Sequence, residues 1–521
     1  MSKSIVGLLL LALCPLVTLA QNSYPVILVH GFAGWGRDEM LGFKYWGAIQ
    51  GDLQEQLVAQ GYTVYTASIG PFSSNWDRAC ELYAQIKGGT VDYGANHAAK
   101  HGHDRYGRNY TGLYPEWGNT VNGAVNKVHL LGHSMGGQTI RMLAQMLEKG
   151  TTGAPVEEDS SSSTLFEGGH SWVHSITTVA TPNQGTTLAD GISKIGDTVK
   201  DLLITVLNVV GIAGDEVSLI YDAQLEQWGI TDKQDGESLS TYLKRVFSSS
   251  IFDEGFEDVC LYSLSTTGAK EESTWVETLS NVYYYSYATI DTFETRDWLL
   301  RKISYPNVLT MLLPLDVTSI FIGGRYTVDT LGFSTDWQPN DGVVNTVSQS
   351  QDYVGELVSF SGTSQIGKWN SMTQLSGMDH EAVTGLTLFN EVYDLYLAHV
   401  ELLASLPADS SSRRLDDNST ENTTANALTV LAAASVETAI SSLNTAAASV
   451  QSTSDVEALC ASPSNTFAAN YCANMLNKTA VAEATNGTVI ATNATTVAEV
   501  ASSSNTTTSS TGARRLRVGA Y

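Results

Sequence analysis

The stretch Val128-His129-Leu130-Leu131-Gly132-His133-Ser134-Met135-Gly136, continued by the run from Gln138 to Leu147, says most about how this chain folds. Val128 to Leu131 is a short apolar run of the kind that forms a buried strand, and Gln138 to Leu147 repeats apolar residues at helical spacing. Between them stands Gly-x-Ser-x-Gly. A serine presented on a sharp strand-to-helix turn needs neighbours without Cβ atoms, and Gly132 and Gly136 supply them. The reading is a nucleophilic serine, Ser134, held clear of its backbone.

Working outward, Val26 to Val29 is another buried-strand candidate, running into the turn His30-Gly31. Thr63 to Ile69 and Ile176 to Ala180 are two more. Strands alternating with helical stretches predict an α/β fold with a mainly parallel sheet covered on both faces. The pentapeptide in that setting predicts the α/β-hydrolase arrangement, in which the acid and then the base follow the serine in the chain.

A serine hydroxyl needs a base to take its proton, and the base needs a carboxylate to hold its tautomer. The histidines after Ser134 are His170, His174, His380 and His399. His170 and His174 come too early for a later strand to have delivered the acid. His399 lies on a helical pattern at the end of the domain and reads as a surface residue. His380, in Gly377-Met378-Asp379-His380, sits on a loop before a helix, where such a base belongs. Asn340-Asp341-Gly342 is a turn presenting a carboxylate, although chemistry alone leaves Asp341 level with Asp336 and Asp379. The oxyanion of the tetrahedral intermediate needs two amide donors. Met135, next to the nucleophile, and Phe32, in His30-Gly31-Phe32-Ala33-Gly34, are the candidates.

The ends of the chain read differently from its middle. Lys3, the apolar run Ile5 to Leu19 and the small-residue end Thr18-Leu19-Ala20 have the layout of a secretory signal peptide over residues 1–20. A hydrolase domain is expected over 21–407. From 408 to 521 Ser, Thr, Ala and Asn dominate, and Asn418, Asn422, Asn477, Asn486, Asn493 and Asn505 stand in Asn-x-Ser/Thr. This extension reads as a glycosylated, largely disordered tail, with one helix over the alanine-rich Ala427 to Val450. Arg413-Arg414 and Arg514-Arg515 bracket it as candidate processing sites. The tail offers no signal for a lipid anchor, and no later apolar run reaches membrane-spanning length. Of the cysteines, Cys460 and Cys472 are expected to pair, whereas for Cys80 and Cys260 a bridge and buried thiols are equally open. A net charge of −26 argues against nucleic acid as a partner.

Longer motifs carry a resemblance. Asp38-Glu39-Met40 with Gly42-Phe43-Lys44-Tyr45-Trp46, then Ser73-Ser74-Asn75-Trp76-Asp77-Arg78-Ala79-Cys80, Val91-Asp92-Tyr93-Gly94, Leu165-Phe166-Glu167-Gly168-Gly169-His170 and Asn340-Asp341-Gly342-Val343-Val344-Asn345-Thr346 span the chain from about Tyr24 to Pro407. Together they resemble the zinc-containing secreted lipases of thermophilic bacilli, a family related to the staphylococcal lipases. The resemblance implies Ser134, Asp341 and His380 as a triad, with Phe32 and Met135 in the oxyanion hole. It implies a zinc ion on Asp77, His97, His103 and Asp258, a closed set suited to a structural role. Around Asp258 the sequence departs from the family, so Asp253, Glu254 and the Cys260 thiol compete there. Family calcium ligands are not carried over, because Glu381 is displaced by one residue and Leu386-Thr387-Leu388 replaces an Asp-Pro pair. The amphipathic stretch between Thr186 and Gly214, with Ile192, Ile195, Val199, Leu202, Leu203, Val206, Leu207 and Val210 at helical spacing, resembles a lid that opens at an oil–water interface.

These readings converge on a secreted triacylglycerol lipase acting at an oil–water interface. Two alternatives stay open: a short-chain carboxylesterase or acyltransferase with the same triad, and a non-catalytic lipid- or surface-binding glycoprotein.

Overall fold

The computed structural model describes residues 22–191, 204, 207–208, 211–212, 219–324, 334–408 and 420–484, with side chains in the last segment described over 428–478. The expected leader over 1–20, both arginine pairs and most of the expected lid lie outside these residues. Of the apolar lid positions named above, Leu207 is described, and it is buried.

Seven strands form one sheet: β1 (Val26–Val29), β2 (Val64–Ala67), β3 (Val128–His133), β4 (Val173–Val179), β5 (Tyr283–Tyr287), β6 (Leu357–Ser359) and β7 (Trp369–Ser371). Their order is β6-β7-β5-β4-β3-β1-β2, and every pairing is parallel. Successive side chains of a strand point to opposite faces. Val26 and Leu28 therefore enter one core and Ile27 and Val29 the other, while Leu131 and Leu130 part in the same way. A strand buried on both faces is apolar wherever its side chains lack polar partners, so β1 is a continuous apolar run and β3 departs from one at His129 and His133, both of which are hydrogen-bonded.

The helices used below are α1 (Asn75–Lys87), α2 (Ala95–His101), α3 (Met135–Lys149), α4 (Leu313–Gly323), α5 (Tyr393–Ala404), α6 (Thr420–Ser449), α7 (Thr453–Leu459) and α8 (Thr466–Ala484). Helix α3 is buried from Met135 to Leu147 and starts three residues before the expected Gln138, because the chain turns into it directly at Ser134. Strand β4 likewise begins at Val173 rather than Ile176.

The extension departs from its compositional reading. Residues 420–484 are mostly helical rather than disordered, in α7 and α8 as well as in the alanine-rich α6. Ala432, Ala433, Val436, Ala439, Ile440, Leu443 and Ala447 are buried along α6. Their spacing makes one apolar stripe, which packs against α5. Alanine is small enough to bring helices close, so the stripe hides in a composition that looks like low complexity. The expected disulfide Cys460–Cys472 links the end of α7 to α8, while Cys80 and Cys260 are free and buried.

Helices α6 and α8 flank the loop that carries His380. Asn444 on α6 accepts from the Ser376 amide at 2.8 Å and donates to the Gln374 carbonyl at 2.9 Å. Immediately before α8, Asn465 donates to the Ile49 carbonyl at 2.7 Å. The ammonium of Lys478, 8 % exposed, lies 2.7 Å from Asp316 on α4 and donates to the Met311 carbonyl. The amide of the next residue, Leu312, donates to Asp379 at 2.8 Å. The extension thus reaches the residue beside His380.

Candidate active site

Ser134 sits between the last residue of β3 and the first of α3, with φ 54° and ψ −131°. A non-glycine residue held there stores of order 1–3 kcal/mol of strain. A Cβ on Gly132 would lie 2.4 Å from the Gly136 backbone, and one on Gly136 would lie 2.4 Å from the Val29 carbonyl. Gly31 faces the serine, and a Cβ there would come within 2.6 Å of the Ser134 Cβ. The glycines are therefore the condition for packing the elbow against β1.

The structure brings Ser134, His380 and Asp341 into one line. His380 Nε2 is 2.9 Å from Ser134 Oγ, and His380 Nδ1 is 2.9 Å from Asp341 Oδ2. The His380 amide also donates to the Asp341 carbonyl at 2.9 Å. Asp341 is wholly buried. It accepts from the Thr289 hydroxyl at 2.7 Å, from Gln349 at 3.1 Å, and from the amides of Val343 and Val344 at 3.0 and 2.8 Å. Burial opposes the charged form of His380, but Asp341, backed by Glu381 and Asp379, outweighs it and raises the imidazole pKa.

The competing carboxylates have other partners. Asp336 is exposed and bonds Ser334. Asp379 accepts from the amides of Leu312, Glu381 and Ala382, and burial pushes its pKa up to about 7. His399 is not a surface residue. It is 1 % exposed, bonded to Thr177 and Tyr287, and burial lowers its pKa to about 3. The apolar positions of α5 pack on the sheet, and His399 faces inward with them.

Phe32 lies on the loop after β1, and Met135 is the first residue of α3, next to Ser134. Among the described residues neither amide donates to a backbone carbonyl. The Phe32 loop is held by Arg78, a wholly buried side chain that donates to the carbonyls of His30 and Gly70 at 2.6 Å each and to Thr139 at 2.9 Å. Tyr45 connects three loops: its hydroxyl accepts from the Gly31 amide at 2.9 Å and lies 2.6 Å from His133 Nδ1. His133 Nε2 is 3.0 Å from the His380 carbonyl. The His380 carbonyl can only accept, so His133 Nε2–H donates to it; burial keeps the ring neutral, and Nδ1 therefore accepts the Tyr45 hydroxyl proton. Sequence reasoning missed Arg78 and Tyr45 as parts of this site. Both stand inside motifs quoted above, which was the signal available.

A second cluster lies between α1, α2 and the loop before Cys260. One ligand atom from each of Asp77, His97, His103 and Asp258 falls within 4.8 Å of the others. His97 Nε2 is 3.3 Å from Asp77 Oδ1 and 3.2 Å from Asp258 Oδ2, and His103 Nε2 is 3.4 Å from Asp258 Oδ2. All four atoms are buried and none has a hydrogen-bond partner. Four buried polar atoms left unbonded and aimed at one point are what a cation-binding group requires. The indole of Trp76 stacks on His97 at 4.7 Å, and Gln227 donates to the other oxygen of Asp77 at 3.1 Å. Asp258 is the buried member, whereas Asp253 and Glu254 are exposed and Cys260 stands outside the cluster.

A parallel sheet whose central strand ends in a strained serine, with a histidine and carboxylate brought to it from the same edge, places the protein in the α/β-hydrolase class. More narrowly, the chain belongs to the family described as "Lipase-like, C-terminal domain", which matches residues 22–394. It is 35 % identical over 390 residues to a lipase of Staphylococcus hyicus, covering 73 % of this chain and 56 % of that protein. The chain thus spans about half the length of the curated relatives it matches. Among solved structures it is similar to EstA from Clostridium botulinum (42 % identity, TM-score 0.65, 75 % of this chain and 90 % of that one). It is also similar to lipase 1 from Pelosinus fermentans (45 % identity, TM-score 0.64, 74 % and 99 %). The S. hyicus lipase structure follows at 32 % identity and a TM-score of 0.59, covering 74 % and 96 %.

Proposed function

We propose that the protein is a secreted triacylglycerol lipase. The observation that carries this reading is the unbroken line from Ser134 Oγ through His380 to Asp341, on a chain whose relatives are named lipases. In the reaction, Ser134 Oγ attacks the ester carbonyl while His380 Nε2 takes its proton. Asp341 holds the Nδ1–H tautomer and stabilises the imidazolium, and the amides of Phe32 and Met135 receive the oxyanion. Collapse of the tetrahedral adduct releases the glycerol oxygen, which takes the proton from His380, and leaves the acyl group on Ser134. Water, deprotonated by His380, attacks the acyl-enzyme, and the fatty acid leaves as Ser134 regains its proton. In the lid reading, movement of the stretch between Thr186 and Gly214 gives an ester access to Ser134, which is 5 % exposed.

Asp77, His97, His103 and Asp258 would hold a zinc ion. With four protein ligands it would supply a cross-link between segments and no catalytic chemistry. Among the described residues no helix is long and apolar enough to cross a membrane. Secretion rests on the leader at 1–20, and the N-terminal sequence of the mature protein checks it.

The test of the activity is release of fatty acid from emulsified triolein, with a soluble butyrate ester and Ser134→Ala alongside. Turnover of triolein that falls at least ~10³-fold in the variant is expected. Turnover of butyrate alone would make the protein a short-chain esterase. No turnover of either would favour a binding protein.

A further inference from the structure

Beyond the sheet, the chain leaves the C-terminal end of β5 and forms an antiparallel hairpin, Thr292–Arg296 paired with Lys302–Pro306. Its base is bonded to the turn before Asp341: the Asp291 amide donates to the Asn340 carbonyl at 3.1 Å, and the Asn340 amide donates to the Thr292 hydroxyl at 3.1 Å. The hairpin therefore rises from the same sheet edge that carries Ser134, Asp341 and His380. Its tip is Asp297-Trp298-Leu299-Leu300-Arg301. Trp298 is 86 % exposed, Leu300 72 % and Leu299 48 %, with Phe293 at 53 % on the strand below.

This tip has a defined shape. Asp297 accepts from the amides of Leu299 and Arg301 at 2.9 and 2.8 Å, and Arg296 donates to the Leu300 carbonyl at 2.7 Å. Leu300 is held at φ 62°, a left-handed conformation that a leucine seldom adopts. The hydrogen bonds stabilise a turn that presents large apolar side chains outward. Ordering that a ligand surface would otherwise impose is already in place.

Charge identifies the surface. The whole chain carries −26, yet residues 296–302 hold three cations, Arg296, Arg301 and Lys302, against the single carboxylate of Asp297, which pairs with Arg301 at 2.8 Å. Just outside, Glu294 pairs with Lys302 at 3.0 Å. Hydrolysis of an ester droplet leaves fatty-acid carboxylates at its surface, and a protein of this net charge is repelled by the layer it makes. A locally cationic tip bearing a tryptophan and two leucines suits that layer: the rings and alkyl groups enter it and the cations meet its head groups.

We propose that the Trp298-Leu299-Leu300 tip is an interfacial anchor that inserts into the anionic, fatty-acid-bearing surface of an ester droplet and holds the Ser134 edge of the sheet against it. The inference rests on the hydrolase reading above. Its test compares the full chain with the double variant Trp298→Ser/Leu300→Ser on triolein emulsions with and without added oleate, reading binding by co-flotation and turnover by fatty-acid release. The double variant is expected to bind the oleate-bearing emulsion at least ~tenfold more weakly, with triolein turnover at limiting surface falling in step. Its turnover of a soluble butyrate ester stays within about twofold of the parent, since neither residue touches the site. The parent is expected to bind oleate-bearing emulsions more tightly than oleate-free ones. Unchanged flotation of the double variant overturns the anchor. If the parent hydrolyses neither ester, the hydrolase reading fails, while the flotation comparison still decides whether the tip inserts.

Discussion

His380 receives opposite instructions from its surroundings, and the balance sets how the site responds to pH. Burial favours the neutral ring, whereas Asp341, Glu381 and Asp379 favour the imidazolium and prevail. Only the neutral ring can take the Ser134 proton, so a raised pKa keeps the base occupied to higher pH. Turnover of a soluble ester is expected to fall as pH drops through a midpoint above the ordinary histidine value of about 6.5. Asp341→Asn removes the carboxylate that raises it. That variant is expected to move the midpoint down and to lower kcat by roughly 10⁴-fold, because the amide also permits the wrong tautomer; a pH–rate profile reads both. Tyr45 acts one step further out, as a positioning residue for the His380 loop. Tyr45→Phe breaks the link from Gly31 to His133 and is expected to lower kcat about tenfold with KM nearly unchanged. A KM change without a kcat change would place Tyr45 at substrate binding instead.

At the scale of elements, Ser134 and the helix behind it were legible because the elbow is a local device, one strand, two glycines and one helix, although the helix begins at Met135 rather than Gln138. The proposed base and acid were legible in part. His380 emerged by elimination, but Asp336, Asp341 and Asp379 were level until the fold showed which one faces Nδ1. Arg78 and Tyr45 could not be read, since their partners His30 and His133 lie 48 and 88 residues away. The extension misled for a different reason. Composition averages over a helix, whereas from Ala432 to Ala447 the buried residues of α6 fall on one face. Lys478 shows what that docking does. Its pair with Asp316 is buried on both sides, at 5 % and 4 % side-chain exposure. Lys478→Met strands a carboxylate that burial already pushes to a pKa of about 6, and is expected to destabilise the protein by about 3 kcal/mol in urea unfolding. A change below ~0.5 kcal/mol would mean that α8 is only loosely seated.

For the whole molecule, the four-residue cluster joins parts of the chain far apart in sequence, with Asp77 on α1, His97 on α2, His103 just after it and Asp258 in a distant loop. A metal there closes long loops and stabilises only the folded state. Dialysis against a chelator is expected to lower Tm by at least about 5 °C, and zinc is expected to restore it. Elemental analysis finding no zinc, with Tm unmoved by chelator, would return the cluster to a purely polar role. The same scale explains the layout of the molecule: a sheet whose C-terminal edge gathers the serine, histidine and carboxylate, a metal-type cluster and helical extension bracing it, and a hairpin leading from it toward an interface.

The central claim is that Ser134 is a nucleophile activated by His380, and a fluorophosphonate tests it most directly. Mass mapping of the treated protein is expected to find one adduct, on the peptide carrying Ser134. The adduct should be absent in Ser134→Ala and formed at least ~10²-fold more slowly in His380→Ala. An unlabelled protein, or an adduct on another residue that forms equally fast in both variants, would contradict the account.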